Sequence, residues 1–206
     1  MFITLEGPEG SGKSSQMPPL VEFLRRMGKE VVPTREPGGT QISDQVRAIL
    51  TRLENTSMHP RTEILLFLAA RAQLVEEVIR PALNAGKIVI SDRYADSTLA
   101  YQGYGHGTSL EQLHSLLKFA TGGVKPDLTL LLDLDIEKGL NRKRSGGNEW
   151  NRLDAYAIAF HQRVRQGYRE LAQTEPQRWV MIDADRPPEV VQDCLRGAIL
   201  KRLSAE

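Results

Sequence analysis

Cysteine is nearly absent from this 206-residue chain, with Cys194 standing alone. One thiol can close no intramolecular disulfide and build no thiolate metal cluster. Around it Val190, Val191, Leu195 and Ile199 recur at helical spacing, so the thiol is expected to be packed rather than reactive. Net charge is nearly absent too. Lys and Arg number 27 against 26 Asp and Glu, for a formal balance of +1. That gives no reason to expect nucleic acid or an acidic membrane as a partner, and any positive field has to be local. No apolar run is long enough to cross a bilayer, and the first residues pass straight into a strand-like pattern with no room for a signal peptide. A cytoplasmic location is expected. There is no internal repeat, no low-complexity tract and no Asn-Lys-x-Asp motif for reading guanine. What remains is 40% hydrophobic and 26% charged, an ordinary globular composition, in a length that suits one sizeable domain.

The most informative segment that is present runs Gly7-Pro8-Glu9-Gly10-Ser11-Gly12-Lys13-Ser14 and fits G-x-x-x-x-G-K-[ST] at every fixed position. Phe2-Ile3-Thr4-Leu5-Glu6 before it reads as a short buried strand. Leu20, Phe23 and Leu24 after it follow a helical period. A strand, a glycine loop and a helix in that order turn successive backbone N–H groups onto one anion. Lys13 adds a point charge for the outer phosphates, Ser14 offers a hydroxyl suited to Mg²⁺, and Ser15 continues the same first turn. The chain is expected to bind a nucleoside triphosphate.

Five apolar segments read as strands, at residues 2–6, 29–34, 87–92, 127–133 and 178–183. Continuous runs such as Ile88-Val89-Ile90 and Leu130-Leu131-Leu132 suit strands covered on both faces, and helical patterns separate them. The expected fold is therefore α/β: one three-layer domain over 1–206, with a central five-stranded parallel sheet flanked by helices. Residues 60–83 predict a long helix opening on Pro60, with Ile64, Leu65, Phe67, Leu68, Leu74, Val75, Val78 and Ile79 on its period. Pro18-Pro19 is expected to kink or shorten the helix after the glycine loop. A polar, basic stretch with Ser145-Gly146-Gly147-Asn148 at its centre marks a candidate mobile lid at about 141–153.

In open parallel sheets ligands gather beyond the carboxyl ends of the strands. There the second strand runs into Thr34-Arg35-Glu36-Pro37-Gly38-Gly39-Thr40, the third into Ser91-Asp92-Arg93-Tyr94, and the fourth ends at Asp133. An acidic residue at such an end can hold Mg²⁺ through water, and neighbouring arginines can clamp a second phosphate. Asp92 and Asp133 compete for the metal role on pattern alone. The combination tilts the reading toward phosphoryl transfer between two bound nucleotides.

At these residues the chain resembles the thymidylate kinases, the bacterial ones in particular. The matches run from Leu5 to Ser14, through Thr34–Thr40, Arg61-Thr62-Glu63, Phe67, Arg71, Asp92-Arg93-Tyr94 and Ala100-Tyr101-Gln102-Gly103-Tyr104, to Pro126-Asp127-Leu128. The glycine loop is shared by many NTPases; Arg-Glu-Pro-Gly-Gly-Thr with Asp-Arg-Tyr and Ala-Tyr-Gln-Gly is specific. The resemblance implies the reaction ATP + dTMP → ADP + dTDP with Mg²⁺, and a homodimer. It implies that Phe67 stacks on thymine and Arg71 hydrogen-bonds a base carbonyl, the two sharing a helix face four residues apart. Thr98 and Gln102 would meet the remaining base edge, Tyr101 would close the site beside the sugar, and Glu9 would contact the 3′-OH. Arg93, helped by Arg35 and Arg47, would clamp the dTMP phosphate. Asp92 becomes the metal carboxylate, with Glu36 a weaker contributor to the same network. Some members carry a catalytic arginine within the glycine loop, but Gly10 stands here. The missing charge is then expected from Arg142, Lys143, Arg144 and Arg152, with Arg152 ranked first and Arg144 covering the adenine.

Two rivals remain: a kinase for another nucleoside monophosphate, and a nucleotide-dependent switch with no acceptor. The thymine-reading set argues against the first. The missing guanine motif argues against a GTPase form of the second.

Overall fold

The computed structural model describes residues 1–145 and 150–204, so Gly146, Gly147, Asn148 and Glu149 of the expected lid lie outside the described residues. In chain order the elements are β1 (Phe2–Glu6), α1 (Lys13–Arg26), β2 (Val31–Arg35), α2 (Gln41–Thr51), α3 (Pro60–Leu74), α4 (Arg80–Asn84) and β3 (Ile88–Asp92). Then follow α5 (Ala95–Thr98), α6 (Leu110–Thr121), β4 (Leu128–Asp133), α7 (Ile136–Ser145), α8 (Ile158–Thr174), β5 (Trp179–Asp183) and α9 (Pro188–Leu203). Two wide-turned π segments, Val75–Ile79 and Leu99–Gly105, join α3 to α4 and extend α5. The five strands are all parallel, in the order β2-β3-β1-β4-β5. β1 is thus central, and the glycine loop leaves it at the carboxyl edge, between the ends of β3 and β4.

The leucine run of β4 shows why its residues make a central strand. Side chains alternate across a sheet, and here Leu130 and Leu132 enter the core under α1 and α9 while Leu131 enters the opposite core with Leu68, Tyr101, Val164 and Tyr168. A strand apolar at every position is what burial on both faces requires. Pro60 takes the first turn of α3, where a missing N–H costs nothing, and His59 accepts from the Arg61 N–H to cap it. Leu65 departs from the expected stripe and is exposed, while Phe67 is half-buried.

Two expectations are corrected. Helix α1 runs through Pro18 and Pro19 for 14 residues and ends only before Gly28, which has φ 77°. Both prolines are exposed, as are Ser14 and Ser15, whose carbonyls would have received the two missing bonds, so water can satisfy them. Cys194 is exposed, not packed: the buried stripe of α9 is Val191, Gln192, Leu195 and Ile199, and position 194 falls beside it.

Candidate active site

The glycine loop is built from positions where a side chain has no room or the backbone is left-handed. A Cβ on Gly7 would lie 2.3 Å from the Leu132 carbonyl oxygen, and one on Gly10 would lie 1.9 Å from that of Gly139. Gly10 therefore seats the loop against α7, and no arginine fits at that position without displacing the helix. At the loop's end, Gly12 adopts φ 94° and precedes α1 without any side-chain cap, which leaves the N–H groups of Lys13 and Ser14 for an anion, while that of Ser15 bonds to the Gly12 carbonyl. Lys13 is buried, and its ammonium donates to the carbonyls of Gly7 (3.0 Å) and Pro8 (2.8 Å) and to Ser11 Oγ (3.2 Å). Burial, with Arg93 nearby, brings its pKa down to about 8, partly offset by Glu9. It is a charge parked on its own loop.

One cavity of about 860 Å³ joins this loop to the ends of β2 and β3 and the α5 segment. Its walls include Glu9, Gly10, Ser11, Gly12, Lys13, Ser14 and Ser15 from the loop region. They also include Arg35, Glu36, Arg47, Phe67, Arg71, Asp92, Arg93, Thr98, Tyr101 and Gln102. Residues as far apart in sequence as Glu9 and Gln102 are thus gathered around one space. Gly7 and Pro8 do not line it; they act through the carbonyls that hold Lys13.

Arg93 stands at the centre. It follows β3 with φ 71°, the one non-glycine residue with positive φ among those described, held there by a bond from its N–H to the Leu5 carbonyl. Its guanidinium donates to Gly7 O, Ser97 Oγ and Tyr168 OH through Nη1, and to Glu9 Oε1 (2.6 Å) and Tyr101 OH through Nη2. Burial would raise the Glu9 carboxyl, but Arg93, Lys13 and Lys143 outweigh it and hold Glu9 far below the usual carboxylate range. Behind Arg93, the buried Glu6 accepts from Tyr94 N–H, Ser97 Oγ and Tyr168 OH.

Arg71 is held on four sides. It donates to Glu36 Oε2 from Nε (2.7 Å), to Thr98 Oγ1 from Nη1 (2.9 Å) and to the Tyr94 carbonyl from Nη2 (3.0 Å), and Nη2 also pairs with Glu36. A guanidinium has five N–H groups, so one on Nη1 is left for a ligand. Glu36 therefore serves Arg71, and its other oxygen has no partner among the described residues. Ser14 Oγ donates to Asp92 Oδ2 at 2.6 Å, setting a hydroxyl and a carboxylate side by side at the loop. Two adjacent hard oxygens at a phosphate site fit Mg²⁺. Asp133 instead accepts from Arg165 and Arg169 and is tied up in ion pairs.

The lid residues fall differently from the expectation. Of the four basic candidates, Arg142 and Lys143 line the cavity. Arg144 lies over the Trp150 ring at 4.8 Å and does not line it. Arg152 does not line it either: it is buried against α3, donating to the Leu50 carbonyl from Nε, to Tyr156 OH, and to Glu63 in a short ion pair. A lone buried carboxylate at position 63 needs a cation, and Arg152 supplies it. Ser97, Tyr168, Glu6 and Glu63 carry the site's supporting network yet received no role from the sequence. Glu63 alone had a usable signal, one helical turn before Phe67 and two before Arg71.

Residues 5–195 match the family model described as thymidylate kinase. A thymidylate kinase of Herpetosiphon aurantiacus is 49% identical over 99% of this chain and 97% of its own length. One from Roseiflexus castenholzii is 51% identical over 97% and 92%. The chain belongs to the thymidylate kinase family. The crystal structure of the thymidylate kinase from Ehrlichia chaffeensis, 33% identical, superposes with a TM-score of 0.81 over 97% of this chain and 98% of that one. Membership makes the protein a phosphotransferase with the P-loop NTPase fold, to which the five-stranded parallel sheet conforms. Among the described residues no helix is long and apolar enough to cross a membrane.

Proposed function

We propose that the chain transfers the γ-phosphoryl group of ATP to dTMP, giving dTDP and ADP, with the residue roles that follow. The observation that carries the assignment is the shared cavity: the glycine loop, Arg93 and the Phe67–Arg71 face of α3 open onto one space. Kinase activity toward dTMP comes with the family; the division of labour is ours.

Gly10 to Ser15 cradle the triphosphate with backbone N–H groups, and Lys13 leaves the carbonyls of Gly7 and Pro8 for the outer phosphates. Arg93, with Arg35 and Arg47, clamps the phosphate of dTMP. Phe67, half-buried on the cavity wall, stacks on thymine. The single free N–H of Arg71 reads the C4 carbonyl, Thr98 and Gln102 meet N3, Tyr101 packs against the sugar and Glu9 accepts from the 3′-OH. Ser14 and Asp92 would hold Mg²⁺, which would supply positive charge against the triphosphate. The acceptor oxygen is already anionic, so no general base is required, and catalysis is alignment and charge neutralisation in a water-poor site. Arg142 and Lys143 contribute charge as they stand. We assign the closing charge to Arg152, whose neighbours Asn151 and Leu153 line the cavity; to act, it exchanges Glu63 for the triphosphate. The segment 141–153 is then a lid on a single domain, and Arg144 covers the adenine side.

We also propose a homodimer. Leu65 on α3 and Leu116 and Phe119 on α6 are exposed, Phe119 at 89%, on two helices that pack together. Exposed apolar groups of this size mark an interface, and sedimentation equilibrium reads the mass directly. The proposed compartment is the cytoplasm.

The deciding experiment is coupled ADP release with ATP and Mg²⁺ across dTMP, dUMP, dCMP, AMP and no acceptor. Turnover confined to dTMP, with weaker use of dUMP, is expected. Turnover led by another monophosphate discards the thymine pocket, and slow turnover indifferent to acceptor supports a switch.

A further inference from the structure

Glu63 is almost wholly buried and shares a face of α3 with Phe67 and Arg71, at successive four-residue steps. Four groups converge on its carboxylate. Gln102 Nε2 donates to Oε1 at 2.9 Å, His106 Nε2 lies 3.4 Å from Oε1, and Tyr156 OH and Arg152 donate to Oε2. Burial alone would raise the carboxyl. The nearby His106 and the hydrogen bonds from Arg152 and Gln102 outweigh it and bring its pKa down to about 2. At neutral pH this group is ionised and can only accept.

That one-way character has a consequence for Gln102. A side-chain amide carries a donor end and an acceptor end and can turn over at little cost. Against an acceptor-only partner it cannot: the NH₂ end must face Glu63. Gln102 is buried and lines the cavity, and among the described residues no donor reaches its amide oxygen. The oxygen is then the polar atom left for the base. Four residues earlier in the chain, Thr98 holds Arg71 so that its one free N–H is a donor. The cavity lining therefore includes one spare donor, on Arg71, and one spare acceptor, on Gln102. Thymine and uracil offer the complement, a C4 carbonyl beside an N3–H. Cytosine offers the reverse, a C4 amine beside a bare N3.

We propose that Glu63 is a positioning residue that fixes the Gln102 amide with its oxygen toward the acceptor base, and so sets the preference for a 4-keto over a 4-amino pyrimidine. The inference rests on the acceptor-site reading above. It gives Glu63 a job separate from its pairing with Arg152.

The test compares dissociation constants for dTMP and 5-methyl-dCMP, which share methyl, sugar and phosphate and differ only at C4 and N3. In Glu63→Gln the partner amide offers both a donor and an acceptor, so Gln102 can present either end. The preference for dTMP over 5-methyl-dCMP is expected to fall by about tenfold, the scale of one hydrogen bond to the base. Effects on the lid are common to both ligands and cancel in the ratio. Equal weakening of both, with the ratio intact, overturns the proposal. Should Glu63→Gln not fold, Glu63→Asp keeps the charge beside Arg152 but draws the acceptor back by one methylene, and the same ratio decides. Gln102→Met separates the two layers. If it leaves the ratio unchanged, the base-reading assignment itself fails. If it moves the ratio and neither Glu63 variant does, only the role of Glu63 fails.

Discussion

The two ends of the cavity are built in opposite ways. On the acceptor side, Arg71, Thr98 and Gln102 are all nearly inaccessible, and each is fixed by buried partners: Glu36 and Tyr94 O for Arg71, Arg71 itself for Thr98, Glu63 for Gln102. On the donor side, Ser14, Arg142 and Arg144 are exposed, and Lys13 is bonded to its own loop rather than to another element. The difference follows from what each ligand demands. A base edge is distinguished by the direction of hydrogen bonds, and direction is held only by side chains whose entropy has already been lost on folding. A polyphosphate is recognised by charge and by backbone N–H groups, which tolerate movement and must allow product to leave. On the proposed roles, selectivity is written into the folded protein before any nucleotide arrives, whereas the charge that completes catalysis would be brought in by motion.

The sharpest way to break this contrast is at Arg152, a donor-side candidate that rests on the acceptor-side helix. If it swings to the triphosphate on closing, Arg152→Ala is expected to lower kcat by about 10³-fold, the low end for a guanidinium on a transferring phosphoryl group. KM for both nucleotides should move by less than about threefold, since the interaction is made only in the transition state. Lys143→Ala, removing a cation already paired with Glu9 and Asp154, should cost less. The reverse order in steady-state kinetics would transfer the role to Lys143 and make Arg152 a structural counterion of Glu63.

A smaller effect is expected on the pre-formed side. Arg71→Ala removes the donor proposed to read C4 and leaves Glu36 buried without its cation. A loss of about 10²-fold in kcat/KM for dTMP is expected from one charge-assisted bond plus that disturbance, with KM for ATP little changed. Parallel losses for dTMP and ATP would mean that the arginine supports the whole cavity rather than the base.

How much of this was legible beforehand divides along the same line. The strands were visible because burial on both faces forces apolar residues at every position; their boundaries fell within two residues, as at 29–34 against Val31–Arg35. The glycine loop was visible because its spacing is local. Helix α1 continuing through Pro18-Pro19 was not, since tolerance of two missing bonds depends on which carbonyls face water. Cys194 was misread because Val190 and Val191 blur the register of the α9 stripe by one position. Glu6, Ser97, Tyr168 and the Glu63–Arg152 pair were invisible for a deeper reason. Their partners lie 88, 91, 162 and 89 positions away, and no local pattern distinguishes a carboxylate that will be buried against such a partner from one that will stay in water.

Glu6 offers the finest test of a pre-built network. It is fully buried at the end of β1, accepting from Tyr94 N–H, Ser97 and Tyr168, and two of those hydroxyls also receive Arg93. Burial and the nearby Asp96 push its pKa up to about 7, against the pull of Arg93. Because the folded value lies above the unfolded one, the stabilisation linked to this group is fully present below about pH 4.5 and is lost as pH rises through about 7. Glu6→Gln removes the titration while leaving a side chain of the same shape. The variant loses an acceptor for two hydroxyls, a cost that is the same at every pH. What changes with pH is the charge the wild type must bury and the variant need not. Measured by thermal unfolding without nucleotide, the difference in Tm between variant and wild type should therefore shift in the variant's favour from pH 5.5 to pH 8.5. The limit is about 3 kcal/mol from the size of the shift, reduced in practice by the pull of Arg93. A difference that stays flat over that range would mean that Arg93 keeps Glu6 ionised throughout, and that the clamp on the acceptor phosphate is anchored by a full charge rather than by a proton-sharing hydroxyl network.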